Sequence, residues 1–235
     1  MTLRERLADV ARFMVRPTYA ERSMAWRPGF ASALALMTGL NLLLVMLAGG
    51  LVDLAFGSSG VLPELAENLP LSPRDVFNYI LLAPVLEEPL HRGWLTGRKA
   101  ALRFAAFGGA ALTLLLAGYV IGSTSGRILS LLAVAVVFAG LIQWGLTRTR
   151  DHIVPDWFIR HFRWMVWGSS VVFGLVHLGR FEALTHPLGA LVVLPLMLGG
   201  LLLAYTRTRL GLRAAMVQHA CYNAVIVGLV ALADL

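Results

Sequence analysis

Two adjacent carboxylates and an arginine close an apolar run in this chain, Leu86-Glu87-Glu88-Pro89-Leu90-His91-Arg92-Gly93. No charge occurs from Val76 to Leu86, so the run reads as the body of a membrane-embedded segment and the carboxylates as its polar insertion. Ionisable groups at membrane depth are costly to keep there and point to chemistry or ion pairing. On a helix, Glu88 and Arg92 lie four apart on one face, as do Glu87 and His91, so two neighbouring polar pairs are expected. Pro84 and Pro89 each remove a donor from the backbone ladder. Such breaks are tolerated in a bilayer where the freed carbonyls meet protein or a wet cavity. Taken alone, Glu-Glu-x-x-x-Arg also describes an interfacial cluster whose long side chains reach toward water. A catalytic reading needs further groups converging on the same point.

Two more polar pairs lie in apolar segments. Phe173-Gly-Leu-Val-His177 puts an aromatic ring and an imidazole on one helical face, and His219-Ala-Cys-Tyr-Asn223 does the same for an imidazole and an amide. A single histidine in an apolar helix is usually a hydrogen-bonded packing residue. Here, however, Glu87, Glu88, His177, His219 and Asn223 are nearly all the strongly polar side chains in the apolar segments. Burying each on an unrelated face costs free energy every time, whereas one shared hydrated cavity lowers that cost. Convergence is therefore expected.

The elements that must position these groups are read from composition. Of 235 residues, 58% are hydrophobic and 14% charged, which is far too apolar for an ordinary soluble domain. The expected fold class is all-α, a polytopic integral membrane helical bundle. Seven transmembrane or membrane-embedded segments can be drawn: Phe30 to Val52, Val76 to Leu95, Phe104 to Gly126, Ile128 to Thr147, Trp164 to Gly179, Ala183 to Thr206 and Ala214 to Ala233. Most reach the roughly 20 apolar residues that a spanning helix needs. The carboxylate segment and the Trp164 segment do not, and are expected inside the bundle.

The net charge of +7 does not point to nucleic acid, because the cations fall into four clusters separated by pairs of apolar segments. These clusters, Arg4 to Arg27, Arg92 to Arg103, Arg148 to Arg163 and Arg207 to Arg213, hold 17 of the 20 Lys and Arg residues. The positive-inside rule then predicts a multi-pass protein of the cell membrane with a cytoplasmic N-terminus and an external C-terminus. Trp26, Trp94, Trp144, Trp157, Trp164 and Trp167 all fall on or near the cytoplasmic side of that arrangement, as an interfacial belt does. Richness in Arg and Ala points to a prokaryotic source. The one cysteine, Cys221, excludes an intramolecular disulfide and lies in an apolar segment.

Residues 1 to 29 lack an apolar core before a small-residue cleavage site, so no removable signal peptide is read. Leu3, Leu7, Val10 and Met14 make a helical stripe among arginines, the pattern of an amphipathic helix on an anionic inner leaflet. A solvated basic tail is the competing reading. Residues 53 to 75 form the one external loop with room for structure, carrying Asp53, Glu64, Glu67 and Asp75. His152 and His161 sit among Arg and Asp in the internal connection and read as solvated. Gly49 with Gly50, Gly108 with Gly109 and Gly199 with Gly200 read as sites of close helix approach. With no linker or repeat, residues 30 to 235 are expected to be a single membrane domain.

Glu-Glu-x-x-x-Arg at 87 to 92, Phe-x-x-x-His at 173 to 177 and His-x-x-x-Asn at 219 to 223, in that order and each in an apolar segment, resemble the CPBP family. These are intramembrane proteases related to type II CAAX prenyl endopeptidases and to Abi-type bacteriocin-processing and immunity proteins. The resemblance covers about residues 76 to 235. Gly93 and Gly174 follow the family pattern, while Pro89 and His91 depart from it. The resemblance implies peptide-bond hydrolysis in the membrane, on a peptide or membrane-protein substrate. Eukaryotic relatives suggest that this substrate is lipidated, but no residue here encodes recognition of a lipid chain. Carried over, Glu87 with His177 would hold and deprotonate a water, and His219 and Asn223 would donate hydrogen bonds to the oxyanion. Glu88 and Arg92 would form an ion pair positioning Glu87, with Phe173 supporting the site.

No cofactor is expected on this reading. A zinc-dependent version would use Glu87, His177 and His219 as ligands, without a His-x-x-x-His pair or a fourth strong ligand. A catalytically silent membrane binding or immunity protein could keep the same fold. A transporter using the carboxylates as a proton relay would favour inverted repeats, which the sequence does not display. Depth is the remaining tension. At 1.5 Å per residue, His219 lies about 9 Å from Arg213, while His177 lies about 21 Å from Arg163. Convergence then requires tilt, a helix that begins outside the hydrocarbon, or an in-membrane loop around Gly179 to Pro187.

Overall fold

The computed structural model describes residues 2–21, 23, 29–66, 71–151 and 153–233. Among them the fold is helical, and its β-type pairing is an isolated antiparallel bridge between Leu65 and Phe181. The chain divides into two compact units: Met1–Arg92 with Phe162–Leu235, and Gly93–His161. Five helices are long and apolar enough to cross a membrane, namely Phe30–Ser59, Lys99–Ile121, Ser123–Thr147, Pro187–Arg209 and Leu212–Leu232. The carboxylate and Trp164 segments are not among them, and against the expectation that both lie inside the bundle, Leu86, Trp164 and Val172 on them are exposed.

The Gly93–His161 unit is built on a helical hairpin of α5 (Lys99–Ile121) and α6 (Ser123–Thr147) joined at Gly122, whose φ of +62° suits glycine. A Cβ added at Gly126 would lie 2.3 Å from the Gly118 carbonyl oxygen, and one at Gly140 would lie 2.7 Å from Phe107 Cβ. These glycines set the backbone approach of the hairpin. Gly109, expected to do so, faces open space.

The other unit begins with α1 (Leu3–Val15). Thr2 and Glu5 form a reciprocal capping box, with the Thr2 N–H donating to the Glu5 carboxylate at 2.7 Å. That bond holds the Glu5 carboxyl below its ordinary value. The apolar stripe of α1 is divided in its use. Leu3 and Leu7 are exposed, whereas Val10 and Phe13 are buried. Phe13 meets Tyr205 edge-on at 5.3 Å, and Asp9 accepts from the Tyr205 hydroxyl at 3.0 Å and from Arg209 Nε at 3.2 Å. Of the expected lipid-facing stripe only Val10 is buried, and it is Phe13 and Asp9, outside that stripe, that dock on α8 (Leu194–Arg209).

Around α8 pack α2 (Phe30–Phe56) and α9 (Leu212–Ala233). Leu201 to Thr206 of α8 are all buried, and the helix buries more than twice the share of its apolar window that α2 or α9 does. It is the core element; the others turn apolar side chains outward, as lipid-facing helices do. Gln218 on α9 is fully buried and ties three helices, pairing with Thr206 of α8 and donating to the Met37 carbonyl of α2 at 3.3 Å. Cys221 is exposed on the outer face of α9.

The carboxylates ride on one helical run in three parts: α3 (Pro73–Phe77), a π turn at Asn78–Leu82 and α4 (Ala83–Arg92). Ser72 caps it, with Pro73 in the first turn where a missing N–H costs nothing. The π turn has a sequence cause. Pro84 offers no N–H, and the Ala83 N–H bonds five residues back to Asn78. The Tyr79 carbonyl is thereby left without a backbone donor in either register.

The carrier of the second motif, α7, spans Asp156–Val176 and gives way to tight turns at His177–Arg180 and Pro187–Val193. Its register against α4 is set by Ser169, whose hydroxyl donates to the His91 carbonyl at 2.6 Å. The irregular segment expected around Gly179 to Pro187 begins here. The helix starts two turns before Arg163, in a polar stretch, and ends before His177 in the irregular segment.

Candidate active site

Glu88 and Arg92 are both fully buried and form an ion pair along α4. The same carboxylate oxygen, Glu88 Oε1, accepts from His219 Nδ1 of α9 at 2.9 Å. Arg92 is held further by donating from Nε to the Gly200 carbonyl at 3.2 Å, and its guanidinium stands 4.3 Å from the centre of the Phe173 ring. Gly200 is required for this: a Cβ there would lie 3.0 Å from Phe173 and 3.1 Å from Arg92 Nη2. A buried charge survives only when paired and hydrogen-bonded, and α4, α8 and α9 each supply part of that pairing.

Phe173 is the packing centre. Its ring contacts His177 at 4.8 Å, His219 at 6.0 Å and His91 at 5.3 Å between ring centres. The expected Glu87–His91 pair does not form. His91 turns to the Phe173 edge, while Glu87 turns the other way to line a cavity of about 160 Å³. Adjacent residues on a helix point about 100° apart, so pairing Glu88 with Arg92 and His219 sends Glu87 to a different surface.

That cavity brings together Glu87, His177, His219 and Asn223 from three elements of one unit. Glu87 Oε2 is buried with no hydrogen-bond partner among the described residues. His177 Nδ1 lies 2.6 Å from the Phe173 carbonyl, which can only accept, so the proton is on Nδ1 and Nε2 carries the lone pair. His219 is oriented in the same sense by Glu88. Asn223 donates from Nδ2 to the Tyr79 carbonyl at 2.8 Å, supplying the donor that the π turn removed. One amide hydrogen of Asn223 remains for another acceptor. The cavity also takes in Asn41 of α2, Tyr79, Arg180 and Tyr222, which the motifs did not identify. Asn41 carried a signal, since it is the most polar side chain between Phe30 and Val52.

Among the described residues, no three His, Cys, Asp or Glu side chains are grouped to hold a metal ion. Of the remaining histidines and tryptophans, His161 is exposed and bonds only to the Trp157 carbonyl, and His152 and Trp26 lie outside the described residues.

Residues 149–225 match the family model described as Type II CAAX prenyl endopeptidase Rce1-like. The match takes in Phe173, His177, His219 and Asn223, about a third of the chain in all, and does not reach Glu87, Glu88 and Arg92. The resemblance read from three short motifs is found again over the segment that holds the second and third of them. No curated protein and no solved structure matches the chain.

Proposed function

We propose that this chain is an intramembrane endopeptidase that hydrolyses peptide bonds with a water activated by Glu87 and His177. The observation that carries the reading is the convergence of Glu87, His177, His219 and Asn223 on one cavity. Water held between the Glu87 carboxylate and the His177 Nε2 lone pair loses a proton to Glu87 as its oxygen adds to the scissile carbonyl carbon. The oxyanion that forms accepts from the second amide hydrogen of Asn223 and from Nε2–H of His219. Because Glu88 holds the Nδ1 proton of His219, the bond from Nε2 uses a second ring proton. Collapse of the intermediate breaks the C–N bond, and Glu87 returns its proton to the leaving amine.

The substrate on this reading is a peptide or membrane protein, and the enzyme sits in the cell membrane with its N-terminus in the cytoplasm. The test is cleavage of a peptide library by the purified protein beside Glu87→Ala and His219→Ala. Turnover in the wild type falling at least a hundredfold in both variants is expected. Equal turnover in all three rules the assignment out.

A further inference from the structure

One face of α1 is left uncovered by the rest of its unit. The inward side carries Val10 and Phe13, both buried, with Asp9 bonded to Tyr205 and Arg209 of α8. Turned away from them, Leu3, Leu7, Ala11 and Val15 follow one another at four-residue intervals along one side of the helix, and all four are exposed. This strip differs from the one read from the sequence, which ran through Val10 and Met14. Apolar surface left in water forgoes the free energy of burial, and Val15 at the end of the strip is 80% exposed.

The place of α1 in the fold sets the depth of that strip. After a run apolar enough to cross a membrane, α8 closes on Arg207 and Arg209, and cations that close a spanning helix lie at the boundary with water. The α1 helix is clamped to this end of α8. Arg209 Nε meets Asp9 at 3.2 Å, Arg209 Nη2 donates to the Thr18 hydroxyl at 2.7 Å, and the guanidinium stands 5.4 Å from the centre of the Phe13 ring. The exposed strip is therefore held at headgroup depth. Its flanking charge is of one sign: Asp9 is taken up by Arg209 and Glu5 by the Thr2 N–H, whereas Arg4, Arg12 and Arg16 are exposed and make no ion pair among the described residues. We propose that this face of α1 binds anionic lipid, with Leu3, Leu7 and Val15 among the upper acyl chains and Arg4, Arg12 and Arg16 on the headgroup phosphates. A lipid surface fits better than a second copy of the chain, because a two-fold contact through this face would set the same arginines against one another. The inference stands apart from the endopeptidase reading.

The test uses the full chain with Cys221→Ala, which removes its one native thiol, and with Ala11→Cys carrying an environment-sensitive fluorophore. The labelled protein is placed in lipid nanodiscs of phosphatidylcholine alone or with phosphatidylglycerol added. Protection of the label from quenching by acrylamide is expected to be greater in the anionic discs. There the ratio of shielded to accessible label is expected to fall about fivefold with each of Arg4→Gln and Arg16→Gln, the effect of one cation near an anionic surface. Tm in zwitterionic detergent is expected to be unchanged by either substitution, since both side chains are exposed. Equal protection in the two kinds of disc, whether high or low, overturns the proposal. So does shielding that rises with the number of protein copies per disc, the mark of a second copy on this face. A fall in Tm also overturns it, because the arginines would then be holding the fold and not the lipid.

Discussion

His219 donates from Nδ1 to Glu88 Oε1 across 2.9 Å, joining α9 to α4 over 131 residues of sequence. The oxygen is the one that Arg92 also holds, so Glu88 is the hinge of a buried three-residue network and Glu87, its neighbour, is free of it. Two glutamates one residue apart thus have opposite surroundings.

The first prediction follows from that contrast. Glu88→Gln removes the charge that balances Arg92 in a dry site, and breaking such a pair costs about 3–5 kcal/mol. Glu87→Gln removes no partner, so stability is expected within about 1 kcal/mol of the wild type, while turnover falls at least a hundredfold. Thermal unfolding in detergent and peptide cleavage measured on both variants check this. Equal destabilisation by the two substitutions would contradict the arrangement.

The bond from Asn223 to the Tyr79 carbonyl exists because Pro84 cannot donate. In Asn223→Ala the carbonyl loses its donor, an expected loss of roughly 1–3 kcal/mol for a buried unsatisfied group. Pro84→Ala restores a backbone N–H that can serve Tyr79 in Asn223's place. The double variant is therefore expected to lose less than the two single losses summed, with a coupling of about 0.5–1.5 kcal/mol. Turnover stays low in both Asn223 variants, because the backbone repair does not restore a donor to the cavity.

Gly200→Ala is expected to destabilise by about 1–3 kcal/mol, as overpacking does in a tight core, and to lower turnover by pushing Phe173 and Arg92 off α8. Gly50→Ala on α2, where nothing lies within 4 Å, is the matched control and is expected to change neither. A comparable loss in both would indicate a general glycine effect and not a contact at Gly200.

Much of this molecule was legible in its residues. Hydropathy alone separated the five described helices long and apolar enough to cross a membrane from Val76–Leu95 and Trp164–Gly179, which are shorter or interrupted by polar groups. The spacing of Glu88 and Arg92 implied their pair, since four residues make one helical turn plus a little. Polar groups in apolar segments announced convergence, because each alone is expensive.

What periodicity leaves open is which faces meet. It allowed Glu87 to pair with His91 with equal logic, and the choice fell otherwise because Phe173, delivered by α7 at a register set by Ser169 and His91, occupies the place beside His91. It did not single out Asn41 among the apolar residues of α2, nor the π turn that gives Asn223 an acceptor. The places of Asn41 and of the Asn223–Tyr79 bond depend on contacts between residues more than a hundred positions apart, whereas the π turn itself follows locally from Pro84. Local pattern determined the helices and their polar stripes; tertiary packing decided that His219 joins Glu88 and that Glu87 faces the cavity.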